Sequence, residues 1–255
     1  MGFLAYNNAL LGATFTGTGF SAQPPISNLG TPQTPSPHAE FTGATASFDV
    51  TFASTEVGML ALIGLDIADG ATITWKRTDA TTIVSVTHNR FKNRPNNHYA
   101  LITPETLTSL ACEITNAGSG VHRVAAAWAS PVLIGKAPAR WQDEISDQGS
   151  VTRVGGTAWP FADARLAGTP VELERVEYPD AYGVASPTNP GPAGLDVRGI
   201  LAAAGNTSPV IWARRDSSAE WIASTAIYGL LTGPIRLEHT GGPFHALRAR
   251  ILEQA

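Results

Sequence analysis

Five consecutive apolar residues, Met59-Leu60-Ala61-Leu62-Ile63, end on Gly64. A membrane span needs about 20 such residues, and a strand with one wet face would alternate polar and apolar positions. A short unbroken run closed by glycine therefore reads as a strand covered on both faces. Residues 65–70 follow as a turn, because the Asp69 side chain can bond its own backbone and Gly70 tolerates positive φ. Residues 71–76 then alternate as a second strand. Residues 57–77 thus predict a strand, a short loop and a strand in the middle of a β-sandwich.

The composition agrees with layered sheets. Gly 25 and Pro 18 among 255 residues weaken helix interiors, and abundant Thr, Ser and Val favour short strands joined by turns. The length suffices for two β domains, each with its own core. Charged residues make up 15% and the net charge is −4, so no broad basic face is available for phosphates and nucleic-acid binding is not expected. The N-terminus has no basic segment followed by a long apolar core, and no later run is long enough for membrane insertion, so a soluble, unprocessed chain is expected. Gly2 carries no myristoylation signal, since Tyr6 stands where that motif needs Ser or Thr. The single cysteine, Cys112, has Leu110, Ala111 and Ile114 as neighbours and reads as a small buried residue.

In chain order, residues 10–18 read as a first strand. Residues 23–37 hold Pro24, Pro25, Pro32, Pro35 and Pro37. Their missing N–H groups and fixed φ predict an extended surface segment anchored by Ile26 and Leu29. Residues 40–53 alternate, with Phe48, Val50 and Phe52 on one face and Asp49 and Thr51 on the other, as in a strand with one wet side. Residues 81–87 alternate again, 91–98 read as a polar loop and 99–102 as a short strand. Residues 110–115 and 121–127 predict a hairpin across 116–120.

These stretches resemble a family. Pro25-Ile26-Ser27-Asn28-Leu29, the strand ending Asp49-Val50-Thr51-Phe52, the run Leu60 to Ile67 and Gly70-Ala71-Thr72-Ile73-Thr74-Trp75 are similar to a group of tailed-bacteriophage virion proteins. In these, a proline-initiated SNL segment leads into a discoidin-like (galactose-binding-like) jelly roll. The resemblance covers mainly residues 20–135, and the strand before Ser130-Pro131 looks like the point where the module closes. It implies a structural component of the tail tip or baseplate. The sequence departs from the family after Asn28-Leu29, where residues 30–38 are rich in Pro and Thr instead of basic and aromatic.

Beyond Pro138 the composition shifts, and Trp141, Asp143, Glu144 and Asp147 lead through glycines toward a new unit. The expected division is 1–137, a discoidin-like sandwich, and 138–255, a smaller β-rich α+β assembly domain. In the second unit residues 171–178 read as an exposed strand bracketed by prolines, and 195–204 as a helix with Asp196 in its first turn and Gly205 as its stop. Residues 210–214, 221–231, 235–238 and 246–253 complete it as strands. The layout resembles the assembly half of phage tail-tip proteins.

The motifs that would anchor an enzyme reading, G-x-S-x-G, H-E-x-x-H, a Walker loop, G-x-G-x-x-G and C-x-x-C, do not occur in the sequence. No enzyme activity, cofactor or metal is expected. Arg90, Lys92, Arg94 and His98 make the 88–98 loop the first candidate for a ligand-facing or interface segment, against the simpler reading of a solvated loop. Trp141 and Trp159 lie in loop-like sequence, where an exposed indole marks an interface; Trp75 and Trp128 lie in strands and read as core or inter-domain packing. Asp66 with Asp69, and His239 with His245, are each explained by a turn without an ion. Two functions remain. One is a structural virion protein that docks onto other tail proteins and copies of itself, assembled in the bacterial cytoplasm and located in the tail, its jelly roll available to a host surface glycan. The alternative is a stand-alone carbohydrate-binding or glycan-active protein.

Overall fold

The computed structural model describes residues 2–31, 38–90, 96–135, 144–147, 150–154, 157–161, 165–177, 208–213, 222 and 225–253. In the first half the strands are β1 (Gly2–Ala5), β2 (Thr14–Thr18), β3 (Ala39–Thr42), β4 (Ala46–Ile63), β5 (Thr72–Lys76), β6 (Thr82–Thr87), β7 (His98–Thr115), β8 (Val121–Val124) and β9 (Ala126–Ser130). The second half adds β10 (Val132–Gly135), β11 (Glu144–Asp147), β12 (Ser150–Val154), β13 (Thr157–Phe161), β14 (Arg165–Glu177), β15 (Pro209–Ala213), β16 (Ile227–Gly241) and β17 (Phe244–Glu253). The protein is mostly β and antiparallel, as its composition predicts.

The sandwich is built on β4 and β7. One sheet runs β2-β4-β7-β5-β6, with β9 added along the second half of β4, and the β3–β8 pair lies apart from it. Residue 72 pairs with Thr115 at the end of β7, whereas Leu62 pairs with His98 at its start. Residues 64–71 reach about 30 Å at most, but a straight strand of β7's 18 residues would run about 60 Å. The long pair must therefore bend back on itself. Register shifts between Thr51 and Thr55 and between Val57 and Met59 supply the bend. The connecting loop then crosses the open end, its Asp66 and Ala68 N–H groups donating to the carbonyls of Arg123 and Ala117 at 2.9 and 2.8 Å.

The apolar run that opened the sequence reading is explained by two different cores. Leu60 and Leu62 point into the sandwich core with Phe48, Val50, Trp75 and Leu110. Met59, Ala61 and Ile63 point the other way, into a cluster shared with Phe3, Ala5, Ile211, Ala213 and Tyr228. β9 divides likewise, Ala127 and Ala129 inward, Ala126 and Trp128 outward. In the first half of β4 Asp49 and Thr51 on the outer face are exposed while Phe48 and Val50 are buried, so the pattern alternates.

The second sheet runs β10-β1-β15-β16-β17-β14-β11. Its inner face holds Leu4, Leu133, Val171, Leu173, Trp212, Leu247 and Ile251. β10 also lies beside β14, so the sheet curls toward closure around that core. Gly229 shows how tight the layer is: a Cβ there would sit 2.1 Å from the Leu252 carbonyl oxygen.

Several expectations are corrected. The sheets do not follow a 137/138 division, because Gly2–Ala5 and Val132–Gly135 pair with each other and, through β15, belong to the second sheet. Residues 110–127 form no hairpin: β7 pairs with β4 and β5, and β8 with β3. Left-handed backbone at Asn116, Gly118 and Gly120 carries the chain from one layer to the other instead. Residues 99–102 and 110–115 are one strand, while 40–53 divide at Gly43 into β3 and β4. The segment after Pro25 turns as a short 3-10 helix, Ile26–Gly30, with Leu29 buried; residues 32–37 lie outside the described residues. Residues 171–177 are a strand, but Val171, Leu173 and Val176 are buried, a bulge after Leu173 accounting for the change of period. Gly233-Pro234 makes a register shift within β16, not a break. The helix expected at 195–204 lies outside the described residues.

Candidate functional site

The 88–98 loop begins where β6 ends. The His88 N–H donates to Ala71 O at 2.7 Å and the Gly70 N–H to His88 O at 2.9 Å, prolonging the β5–β6 ladder into the loop. His88 Nε2 lies 2.6 Å from Asn96 Oδ1, so that nitrogen carries the proton. Asn96 in turn donates from Nδ2 to Leu65 O at 2.7 Å, Asn97 Oδ1 accepts the Gly64 N–H at 2.8 Å, and Asp69 Oδ1 accepts the Arg90 N–H at 2.9 Å. Apart from the His88–Asn96 bond within the loop, each of these bonds ties residues 64–71 to residues 88–97.

His98, the first residue of β7, sits behind this seam with its ring 6.3 Å from that of His88 and tilted edge-on. Both are 2% exposed. His98 Nε2 is buried without a hydrogen-bond partner, and burial pushes the pKa down to about 3. His88 is lowered by burial too, against the opposing Asn96 bond. His98 is thus a neutral interior group at the root of the loop, and Arg90 alone of the expected set is described at the surface. Lys92, Arg94 and Trp141 lie outside the described residues, and Trp159 is placed on β13 opposite Thr152. Trp75 is in the sandwich core and Trp128 in the shared cluster, where strand position put them.

Other candidates resolve as structure. Asp69 is engaged by Arg90, and among the described residues no group of three His, Cys, Asp or Glu side chains converges as a metal site. His239 and His245 face each other across β16 and β17, rings 5.1 Å apart, and His239 Nε2 donates to Gly242 O at 2.9 Å, closing the turn. A cavity of about 40 Å³ between Asn8, Trp128 and Tyr228 has room for a water or two.

The open recesses lie elsewhere. A groove of about 470 Å³ runs between the tip of the β5–β6 hairpin and β7, lined by Arg77, residues 82–84 and residues 101–105. Arg77 donates from both Nε and Nη2 to Oε2 of Glu105, with the Nε bond at 3.1 Å. Ile83, Val84 and Ile102 are its partly buried apolar lining, packed against the sandwich core. A second recess of about 440 Å³ lies at the corner of Thr18, residues 45–47 and residues 113–115. Sequence reasoning missed the groove because Arg77 and Glu105 are 28 residues apart. Only the bend of β7 brings them together, and the one local signal was the Lys76-Arg77 pair ending an alternating strand.

No family model and no curated protein matches the chain. Among solved structures it is similar to a fucose-binding module of Streptococcus pneumoniae, with 8% identity over 49% of this chain and 95% of that one and a TM-score of 0.40. A chitosan-binding module from a Paenibacillus chitosanase/glucanase shares 14% identity over 49% of this chain and 100% of that one, TM-score 0.40. The family 32 carbohydrate-binding module of C. perfringens NanJ, solved with galactose, shares 13% over 51% and 99%, TM-score 0.40.

Proposed function

We propose that this protein is a non-catalytic recognition and assembly component in which a carbohydrate-binding-like sandwich is held rigidly on a second β unit, and that it serves in the tail tip or baseplate of a tailed-phage virion. The observation that carries this reading is the shared cluster of Met59, Ala61, Ile63, Trp128, Ile211 and Tyr228. Units joined by a linker move independently by default, and only a large apolar contact prevents it. Here the sandwich is entered and left through β1 and β10, both strands of the second sheet. A fixed angle between modules suits a part of a symmetric particle, with other tail proteins and copies of itself as partners. The open groove beside Arg77 and Glu105 favours a second reading, a stand-alone glycan-binding protein.

The test is negative-stain imaging and light scattering of the full chain, alone and with a virion tail fraction. Titration with fucose, galactose and chitosan oligosaccharides, the ligands named for the compared modules, runs alongside. Rings or capture by tail components are expected. A strict monomer that binds a sugar saturably and ignores the tail fraction would move the assignment to the second reading.

A further inference from the structure

We propose that the groove between the β5–β6 hairpin and β7 binds a neutral hexopyranose through its vicinal diol, with Arg77 and Glu105 as the recognising pair. The inference rests on the carbohydrate-binding part of the reading above and names its site.

The chemistry follows from what the pair leaves unused. Both bonds from Arg77 fall on Oε2 of Glu105. Among the described residues Glu105 Oε1 and Arg77 Nη1 have no hydrogen bond, which leaves the pair an unused acceptor and an unused donor, on side chains 25% and 42% exposed. Adjacent hydroxyls of a sugar can each donate and accept. One gives its proton to the carboxylate oxygen while its neighbour accepts from the guanidinium, and hydrogen bonds to charged partners are the stronger kind. The two charges cancel locally, so an acidic or basic ligand gains nothing over a neutral one. Ile83, Val84 and Ile102 line the same groove and supply apolar surface for the C–H face of a pyranose, with Thr82 and Thr103 also in the lining. An apolar floor with few placed polar groups is the general form of a small-molecule site. The seam at His88 and His98 lacks these properties, since its polar groups are buried and satisfied by the two loops or, at His98, shielded from solvent.

The experiment is calorimetric titration and saturation-transfer NMR of the full chain with methyl galactoside, methyl fucoside and methyl glucoside. Arg77→Gln, Glu105→Gln, Thr82→Trp and Thr18→Ala are compared with the unaltered protein, each first shown to keep its circular dichroism and melting profile. At least one sugar is expected to bind saturably. Glu105→Gln and Arg77→Gln should each weaken it tenfold or more, Thr82→Trp should fill the groove and abolish binding, and Thr18→Ala, in the other recess, should leave it unchanged. Sugar binding that survives Thr82→Trp and both pair variants would overturn the groove while leaving a carbohydrate-binding sandwich intact. Failure of every sugar to bind the unaltered chain would overturn the groove and the carbohydrate reading together, without touching the assembly reading.

Discussion

Trp128 on β9 and Tyr228 on β16 meet ring edge to ring face, their centroids 5.9 Å apart and their planes at 83°. The contact joins the sandwich to the second sheet, and Trp128 Nε1 donates to Ser130 Oγ at 2.8 Å, so the indole is satisfied while its body stays buried. Truncating a buried aromatic costs about 3–5 kcal/mol, and an edge-to-face pair adds about 0.5–1.5 kcal/mol to its area burial. Trp128→Ala is therefore expected to lower stability by several kcal/mol. Because the layers share a core, the unaltered chain should unfold in one step, with far-ultraviolet dichroism and tryptophan fluorescence coinciding. Two separated transitions in the unaltered chain would contradict the fused core.

The N-terminal strand supports the second sheet from within. β1 is paired on both sides, Leu4 with Leu133 of β10 and with Trp212 of β15, and all four of its residues are buried. Leu4→Asp places an unpaired charge in that core, which is among the few changes expected to cost more than about 4 kcal/mol. Limited proteolysis should then open the 209–253 region first, while a sandwich-only defect would expose 46–115 instead.

Much of this architecture was legible because it is written in local alternation. Phe48, Val50, Asp49 and Thr51 announce their faces, and the Met59–Ile63 run announces a strand covered twice. What covered it was not legible: the partners of Met59 and Ala61 come from residues 3–5 and 211–228, and no local pattern ties those stretches together. Residues 2–5 were too short to register as a strand, and the 110–127 hairpin failed because β7 and β8 pair with strands distant in sequence instead of with each other. Among the site residues, His98 looked like loop chemistry since polar neighbours surround it in sequence. Its burial comes from tertiary packing, the His88 ring included, that no local pattern records.

That burial has a pH consequence. His98 stays neutral in the fold with a pKa of about 3 against an ordinary 6.5, His88 is lowered in the same direction, and the charges around them are Asp69 and Arg90. Below about pH 6.5 the unfolded chain binds protons that the native one does not, so stability falls as pH falls, by up to about 1.4 kcal/mol per pH unit per group. The full contribution is present above the unfolded pKa and is lost progressively toward the folded one. Denaturant midpoints measured from about pH 8 to pH 4 should decline below pH 6.5, and His98→Phe should flatten part of that decline. Identical profiles for the two proteins would show that His98 titrates freely and is not enclosed.

Cys112 gives an independent reading of cooperativity. It is fully buried and outside any disulfide on β7, opposite Phe48 on one side and Trp75 on the other, and burial pushes its thiol well above the ordinary value. The thiolate is the reactive form, so the native protein should resist a disulfide reagent at pH 8 and label only through opening of the sandwich. With domain stabilities of about 5–15 kcal/mol, labelling should run at least about a thousandfold slower than in denaturant. The decisive comparison is with Trp128→Ala, whose lesion lies in the shared cluster and not in the core around Cys112. If the two layers open together, that variant labels faster in proportion to its lost stability; if the sandwich opens alone, its labelling rate stays that of the unaltered protein.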